Sequence, residues 1–415
     1  MISLDESLNW LYTQKKSKKR EDLSRITYCI KALGIKTDYP IIHIAGTNGK
    51  GSTATFIKSI LMEANYKVGF FVSPFVISFN ERIEINNDYI TDDKLISYIS
   101  KLQKFSFDYT NEFNDTIPFF ELTFLMALMY FEENKIDVGV IECGLGGRLD
   151  ATNCLDKNIS VITNIGYDHM QSLGNTLEEI SYHKLGITRE NIPCFTCVCD
   201  ELKEYFETYS IQNNIPITFV DKNISDILVS DKTTFNLDNI NYTCSLSGYF
   251  QAYNASLAIS VCKAFDSNIT YEMIQNGLLN AFWPGRFEHI TENIIIDGAH
   301  NVHGINALVD SIKCGYQDRY IKVIFTALHD KAYPEMIKML DEVVDFYYFT
   351  TINDTRSTNV LEFLNCTEKP YEYGDEEEII IKAINNLDNN ELLLITGSLH
   401  FISEARKIVL KTFKN

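Results

Sequence analysis

Short apolar runs alternate with amphipathic stretches from about residue 40 to the end of the chain. Runs at Ile41–Ala45, Val68–Val72, Val138–Cys143, Val161–Ile165 and Pro193–Val198 are mainly apolar, as expected of strands buried on both faces of a sheet. Helical periodicity follows at Thr53–Ala64, Phe120–Glu132 and Leu177–Leu185. This alternation predicts an α/β architecture with a mainly parallel sheet. Between Asp226 and Ser247 the pattern turns polar and β-like, punctuated by Asn and Asp, which predicts a small antiparallel patch. Helical patterns resume at Tyr253–Ala264 and Tyr271–Leu279.

Trp283-Pro284-Gly285-Arg286 breaks the series, because proline and glycine together stop a helix. A second strand series then begins, at Ile294–Ile296, Tyr320–Thr326, Phe346–Thr351 and Leu392–Thr396. The expected division is a larger domain over 1–288 and a smaller α/β domain over 289–415, with the Pro-Gly stretch as hinge.

Composition narrows the function classes. A chain of 415 residues with 45% hydrophobic and 22% charged residues can bury two or three cores. Its formal net charge of -19 argues against a nucleic-acid partner, and any anionic substrate must be drawn to a local basic site against the global field. Met1-Ile2-Ser3-Leu4-Asp5-Glu6 carries acid where an export signal carries base, and no apolar run approaches the ~18 residues of a membrane span. The ten cysteines are scattered, which suits a reducing cytoplasm. Cys194, Cys197 and Cys199 lack a second pair at zinc spacing, so Phe195-Thr196-Cys197-Val198 reads as a buried strand and not as part of a metal site. The basic run Lys15, Lys16, Lys18, Lys19 and Arg20 reads first as a solvated helix face and second as a phosphate or substrate contact.

Three clusters carry chemistry. In the first, the strand Ile41–Ala45 runs into Gly46-Thr47-Asn48-Gly49-Lys50-Gly51-Ser52-Thr53 and then directly into a helix. Glycines let backbone N–H groups approach phosphate oxygens, the helix N-terminus favours negative charge, and Lys50 can pair the outer phosphates. The strict phosphate-loop spacing is not met, since Gly51 follows Lys50 and Ile44 stands where the first glycine belongs. The second cluster is Glu142 at the close of an apolar strand and Asp168-His169 after the next one. Carboxyl ends of parallel strands line the ligand crevice, so Glu142, His169 and Ser52 can converge on one phosphate-bound metal. In the third, Ile294-Ile295-Ile296 ends in Asp297-Gly298-Ala299-His300-Asn301. Here a ribose or phosphate contact competes with a capping aspartate and a surface histidine.

These residues resemble the folylpolyglutamate synthase/dihydrofolate synthase family, a branch of the Mur-ligase-like ATP-dependent ligases. The resemblance rests on ordered segments: His43 to Thr53, Ser73 to Ile83, Glu142 to Asn153, Asn164 to His169, Leu173 to Ile187, Trp283 to Glu288, Asp297 to Asn301 and Thr396 to Leu399. It implies a P-loop N-terminal domain and a Rossmann-like C-terminal one. By the same resemblance Gly46 to Ser52, with Lys50 as the phosphate-loop lysine, bind ATP together with Asn254, Arg286 and Asp297. Ser52, Ser73 and Glu142 match the ligands of one magnesium, and Glu142, His169 and Lys184 those of a second. Lys184 matches a carbamylated lysine, and such a change makes chemical sense because a carbamate offers the metal an anionic oxygen where an ammonium cannot. His300 and Ser398 resemble residues of the glutamate site, and Asp150 a pterin-binding position. The implied cofactors are ATP, two magnesium ions, a monovalent cation and the carbamylated Lys184.

Departures from the family pattern are Phe250-Gln251, where His-Gln is usual, and Asp330-Lys331-Ala332, where Asp-Lys-Asp is frequent. The implied activity is ligation of L-glutamate to a folate, and also to dihydropteroate, through an acyl phosphate. The partners are then small molecules only, on a cytoplasmic monomer that meets neither membrane nor nucleic acid. Two other readings stay open: another Mur-type amino-acid ligase, and a P-loop NTPase switch, which has no need of the Lys184 cluster.

Overall fold

The computed structural model describes residues 3–14 and 22–413, so the basic run from Lys15 to Arg20 lies outside the described residues. The chain divides into two compact units, one of 1–165, 169–219 and 257–277, the other of 166–168, 220–256 and 278–415.

The first unit is built on eight strands: β1 (Ile41–Ala45), β2 (Val68–Phe71), β3 (Ile83–Ile85), β4 (Asp88–Tyr89), β5 (Val138–Glu142), β6 (Ile159–Ile162), β7 (Cys194–Thr196) and β8 (Ile217–Phe219). Their order is β4-β3-β2-β5-β1-β6-β7-β8. The six strands from β2 to β8 in that order are parallel, and β3 and β4 add an antiparallel edge. Every residue of β1, β2, β5 and β6 is buried, which explains their mainly apolar character, with His43, Glu142 and Ser160 as the polar exceptions. The register sets Glu142 beside Ile44 and Ile162 beside Ala45, so three strand ends meet where the glycine turn begins.

The helix Lys50–Glu63 follows that turn, with Gly49 in the left-handed region (φ 78°) as its first cap. The helix Phe119–Asn134 is sunk in the same core and is apolar nearly all round. The helix Asp92–Phe113 was not anticipated, although Leu95, Tyr98, Ile99, Leu102, Ser106 and Tyr109 form its buried stripe at helical spacing. Leu177–Leu185 forms where its periodicity predicts, started by a Thr176–Glu179 capping box.

The second unit holds an antiparallel three-stranded sheet, β9 (Ile224–Val229), β10 (Thr233–Leu237) and β11 (Ile240–Cys244), as the polar punctuation of that region predicts. It also holds a six-stranded sheet of β12 (Glu288–Thr291), β13 (Ile294–Ile296), β14 (Tyr320–Phe325), β15 (Phe346–Phe349), β16 (Tyr371–Tyr373) and β17 (Glu391–Thr396). The order is β12-β13-β17-β14-β15-β16, parallel except for β12. Trp283–Arg286 lies within this unit, where the Gly285 carbonyl accepts the Gly298 N–H at 2.9 Å. Among the described residues, no helix is long and apolar enough to cross a membrane.

Candidate active site

The glycine turn after β1 is held from the neighbouring strand. Thr47 N–H donates to the Asn164 carbonyl at 3.0 Å, and Asn48 N–H to Asn164 Oδ1 at 3.0 Å. The Thr163 hydroxyl donates to the Asn48 carbonyl at 2.6 Å. The apolar run expected to continue as strand to Ile165 therefore stops at Ile162, because Thr163 and Asn164 turn their hydrogen bonds to the loop. Gly46 has a φ of 154°, and a Cβ there would lie 1.8 Å from Thr163 Oγ1. Only glycine fits that approach.

Glu142, 3% exposed, closes β5 beside this loop. Lys50 Nζ stands 3.7 Å from Glu142 Oε1 and donates to the Thr47 carbonyl at 3.3 Å. Ser73 N–H donates to Glu142 Oε2 at 3.3 Å. Ser52 is buried in the first turn of the helix Lys50–Glu63. Lys50, Ser73 and Glu142 thus come together, and Ser52 sits on the adjoining turn. A buried carboxylate with serine hydroxyls nearby is an oxygen-only donor set, which fits a hard divalent cation that keeps waters and phosphate oxygens.

The second expected metal set is less compact. His169 is exposed, with a φ of 51°, at the cap of the short helix Met170–Leu173. Lys184 is 3% exposed, and its Nζ donates to the Gly46 carbonyl at 2.7 Å. Among the described residues no three His, Cys, Asp or Glu side chains converge on one point.

Asp150 is 7% exposed and clasps its own loop. Oδ2 accepts from the N–H groups of Gly144 and Leu145, both at 2.9 Å. Oδ1 accepts from Thr152 N–H at 3.0 Å and from the Thr152 hydroxyl at 2.5 Å. That hydroxyl also lies 2.8 Å from His43 Nε2. Burial pushes the Asp150 carboxyl up, opposed by these hydrogen bonds. Lys157, buried against His43 and Asn153, is pushed down to about 7, by burial first and by the Arg189 charge second. Sequence reasoning missed this inner chain: His43 opens a quoted segment without a role of its own, and Lys157 lies outside every quoted segment.

In the second unit, Asp297 closes β13, 4% exposed. Its oxygens accept from the N–H groups of Phe287 and Ala299, each at 2.8 Å. Burial raises its pKa, and the Arg286 charge opposes that. His300 sets Nδ1 against the Gly298 carbonyl at 2.9 Å, with Nε2 3.9 Å from Asp168 Oδ2. Desolvation pushes His300 down to about 4, so its ring is neutral at pH 7. Asp168 also accepts from Asn301 Nδ2 at 2.8 Å and pairs with Lys331 Nζ at 3.1 Å. The spacing of charges along the chain does not reveal Asp168 and Lys331 as partners. Asn254, buried, donates to Gln251 Oε1 at 2.9 Å, and Ser398, buried, stands at the N-cap position of the helix Leu399–Thr412 without a side-chain capping bond.

Two family descriptions match the chain. They are the Mur ligase middle domain over residues 44–262 and the Mur ligase glutamate ligase domain over 285–399. A Bacillus subtilis dihydrofolate synthase/folylpolyglutamate synthase is 34% identical, with 97% of this chain and 98% of that protein covered. A Lacticaseibacillus casei folylpolyglutamate synthase is 30% identical, with 99% of each covered. Among solved structures, Escherichia coli FolC in complex with DHPP and ADP superposes with a TM-score of 0.87 at 25% identity, covering 100% of this chain and 99% of that one.

Proposed function

The chain belongs to the Mur ligase family, in its folylpolyglutamate synthase/dihydrofolate synthase branch, and on that premise we propose how its residues divide the work of an ATP-dependent glutamate ligase. The reaction joins L-glutamate to a folate carboxylate with conversion of ATP to ADP and phosphate, and extends to dihydropteroate. The observation that carries the reading is Lys50 in a glycine turn beside the buried Glu142, at the meeting point of β1, β5 and β6. An ATP-binding part over 1–288 and a glutamate-ligase part over 289–415 are supported by the two family matches.

A carboxylate is a poor electrophile. Its oxygen bonds to the γ-phosphorus as the bond to ADP breaks, and the glutamate amine then bonds to the acyl carbon as phosphate leaves. Lys50 draws charge from the transferring phosphoryl group, and the N–H groups of Gly46 to Ser52 cradle the phosphates. Bound divalent metal supplies further neutralisation of that charge. Glu142, Ser52 and Ser73 would hold one magnesium ion, and Glu142, His169 and a carbamylated Lys184 the second. Asn254, Arg286 and Asp297 are assigned to the nucleotide. His300, neutral, with its Nδ1 side on the Gly298 carbonyl and Nε2 toward Asp168, is assigned to the glutamate side with Ser398. The defining assay is phosphate release on dihydropteroate and on tetrahydrofolate, each with and without glutamate. Release that ignores both the acid and the amino acid would refute the ligase.

Lys184→Ala should lower kcat by about a hundredfold, with partial recovery in a short carboxylic acid that fills the carbamate's place. Protein supplied with carbon-13-labelled carbon dioxide should show a carbamate resonance that the variant lacks. A free amine in the wild-type protein under those conditions rejects the modification.

Asp150 is assigned to the pterin through an exchange of bonds. If the Thr152 hydroxyl turns to His43 Nε2, one lone pair of Oδ1 is released for a pterin N–H. Asp150→Ala should then impair the dihydropteroate reaction about tenfold more than glutamate addition to tetrahydrofolate. Equal losses, with a lower melting temperature, would leave the residue only its loop-clasping role.

A further inference from the structure

The loop between β2 and β3 buries a cation that the phosphate chemistry does not use. Arg82 is 8% exposed, and its guanidinium carbon lies 5.2 Å from the centre of the Phe75 ring, 5.6 Å from Phe79 and 5.4 Å from Phe119. The rings brace one another: Phe79 meets Phe119 edge-on at 6.3 Å, and Tyr12, half exposed, stacks on Phe119 at 5.5 Å. Ring faces attract a guanidinium but accept its N–H groups poorly. The buried Nε–H of Arg82 has no hydrogen-bond acceptor among the described residues.

The carboxylates around it are engaged elsewhere. Glu81, the preceding residue, accepts from the N–H groups of Val76, Ile77 and Ser78 at 2.9, 2.8 and 2.5 Å. Glu142 faces Ser73 N–H and Lys50. Burying the Nε–H without an acceptor is costly, and a loop clasped this firmly by Glu81 gives that group little freedom to turn to water. Such a group is suited to an anion that arrives with its own aromatic surface.

We propose that Arg82 is the receptor for the carboxylate of the aromatic acid that this enzyme activates, with Phe75, Phe79, Phe119 and Tyr12 packing against the aryl ring that carries it. The proposal rests on the ligase reading, which supplies an aryl carboxylate as substrate. It also answers the problem set by a net charge of -19: the acid is drawn to one desolvated guanidinium, whose planar fork matches a carboxylate. The γ-phosphate of ATP is the other anion at hand, and the test separates the two.

The test uses the full-length protein and measures KM and kcat for dihydropteroate, ATP and glutamate in wild type, Arg82→Gln and Arg82→Lys. It adds competitive inhibition by dihydropteroate carboxamide, which has the same ring and no charge. The expected result is a KM for dihydropteroate raised about tenfold to a hundredfold in Arg82→Gln, with the KM for ATP within about twofold of wild type. Wild type should bind the acid more tightly than its carboxamide, and that preference should vanish in Arg82→Gln, whereas a purely structural arginine would leave it intact. Arg82→Lys keeps the stem and charge and loses the fork, so it should show a smaller loss, and it carries the test if Arg82→Gln does not fold. An unchanged preference for acid over carboxamide in the folded variants, or a rise confined to the KM for ATP, overturns the proposal while the ligase stands. A wild-type protein that turns over no pteroyl acid fails the ligase reading itself.

Discussion

Lys50→Ala will lose on the order of a thousandfold in kcat while its melting temperature stays close to that of the wild type. The side chain lies on a glycine turn at intermediate exposure, so its removal takes charge from the proposed phosphate site and little packing from the core. Its partner distances, 3.3 Å to the Thr47 carbonyl and 3.7 Å to Glu142, are those of a group that can leave both for a phosphate. The loss should fall on kcat more than on the KM for ATP, because the charge matters most as the γ-phosphoryl group moves. Steady-state kinetics and thermal melts decide this, and near-normal turnover would remove Lys50 from the phosphate site.

Gly46→Ala should be as damaging by a different route. The new methyl group would lie 1.8 Å from Thr163 Oγ1 and 3.2 Å from Thr163 N, and the φ of 154° is one that side-chain-bearing residues rarely adopt. Thr163 would have to give up its bond to the Asn48 carbonyl, and the loop would lose its brace. The expected cost is about 2–4 kcal/mol of stability together with weakened nucleotide binding. Thr163→Ala in the same chain removes the worst contact, so the double variant should recover part of the stability lost by Gly46→Ala. Strict additivity in denaturant melts would show that the clash is not the cause.

Where an element is buried on both faces, its residues announce it. β1, β5 and the helix Leu177–Leu185 lie within a residue of their predicted limits, because a run of isoleucine and valine or a clear capping box leaves few alternatives. The strand ending at Ile162 shows the limit of that reasoning: Thr163 and Asn164 stop the strand by bonding to a loop more than a hundred residues earlier, which no local pattern encodes. The glycine loop, Glu142 and the Asp297 turn were legible as strand-end chemistry. Arg82 was not singled out, although it lies in a quoted segment, because its environment is made by Phe75 and Phe119 from two different parts of the chain. The pairing of Asp168 with Lys331 likewise joins residues 163 positions apart.

The route of the chain between the two units has a consequence for how the protein is made. The polypeptide passes from one to the other five times, and the first unit takes its last segment from 257–277. That segment is integral: the Cys262 thiol reaches the Ile57 carbonyl, Asp266 accepts from the Tyr66 hydroxyl at 2.9 Å, and Gly277 lies flush against the backbone of Ile60. All three contacts are to the helix that follows the glycine loop or to the turn just after it. On the ribosome, Lys50 emerges early, yet the helix behind it lacks its packing partner until residue 277 has left the exit tunnel. The glycine loop proposed to hold the nucleotide therefore matures late in synthesis, and a nascent chain halted near residue 250 should remain a substrate for chaperones and proteases, unlike proteins whose N-terminal domain closes before the next begins.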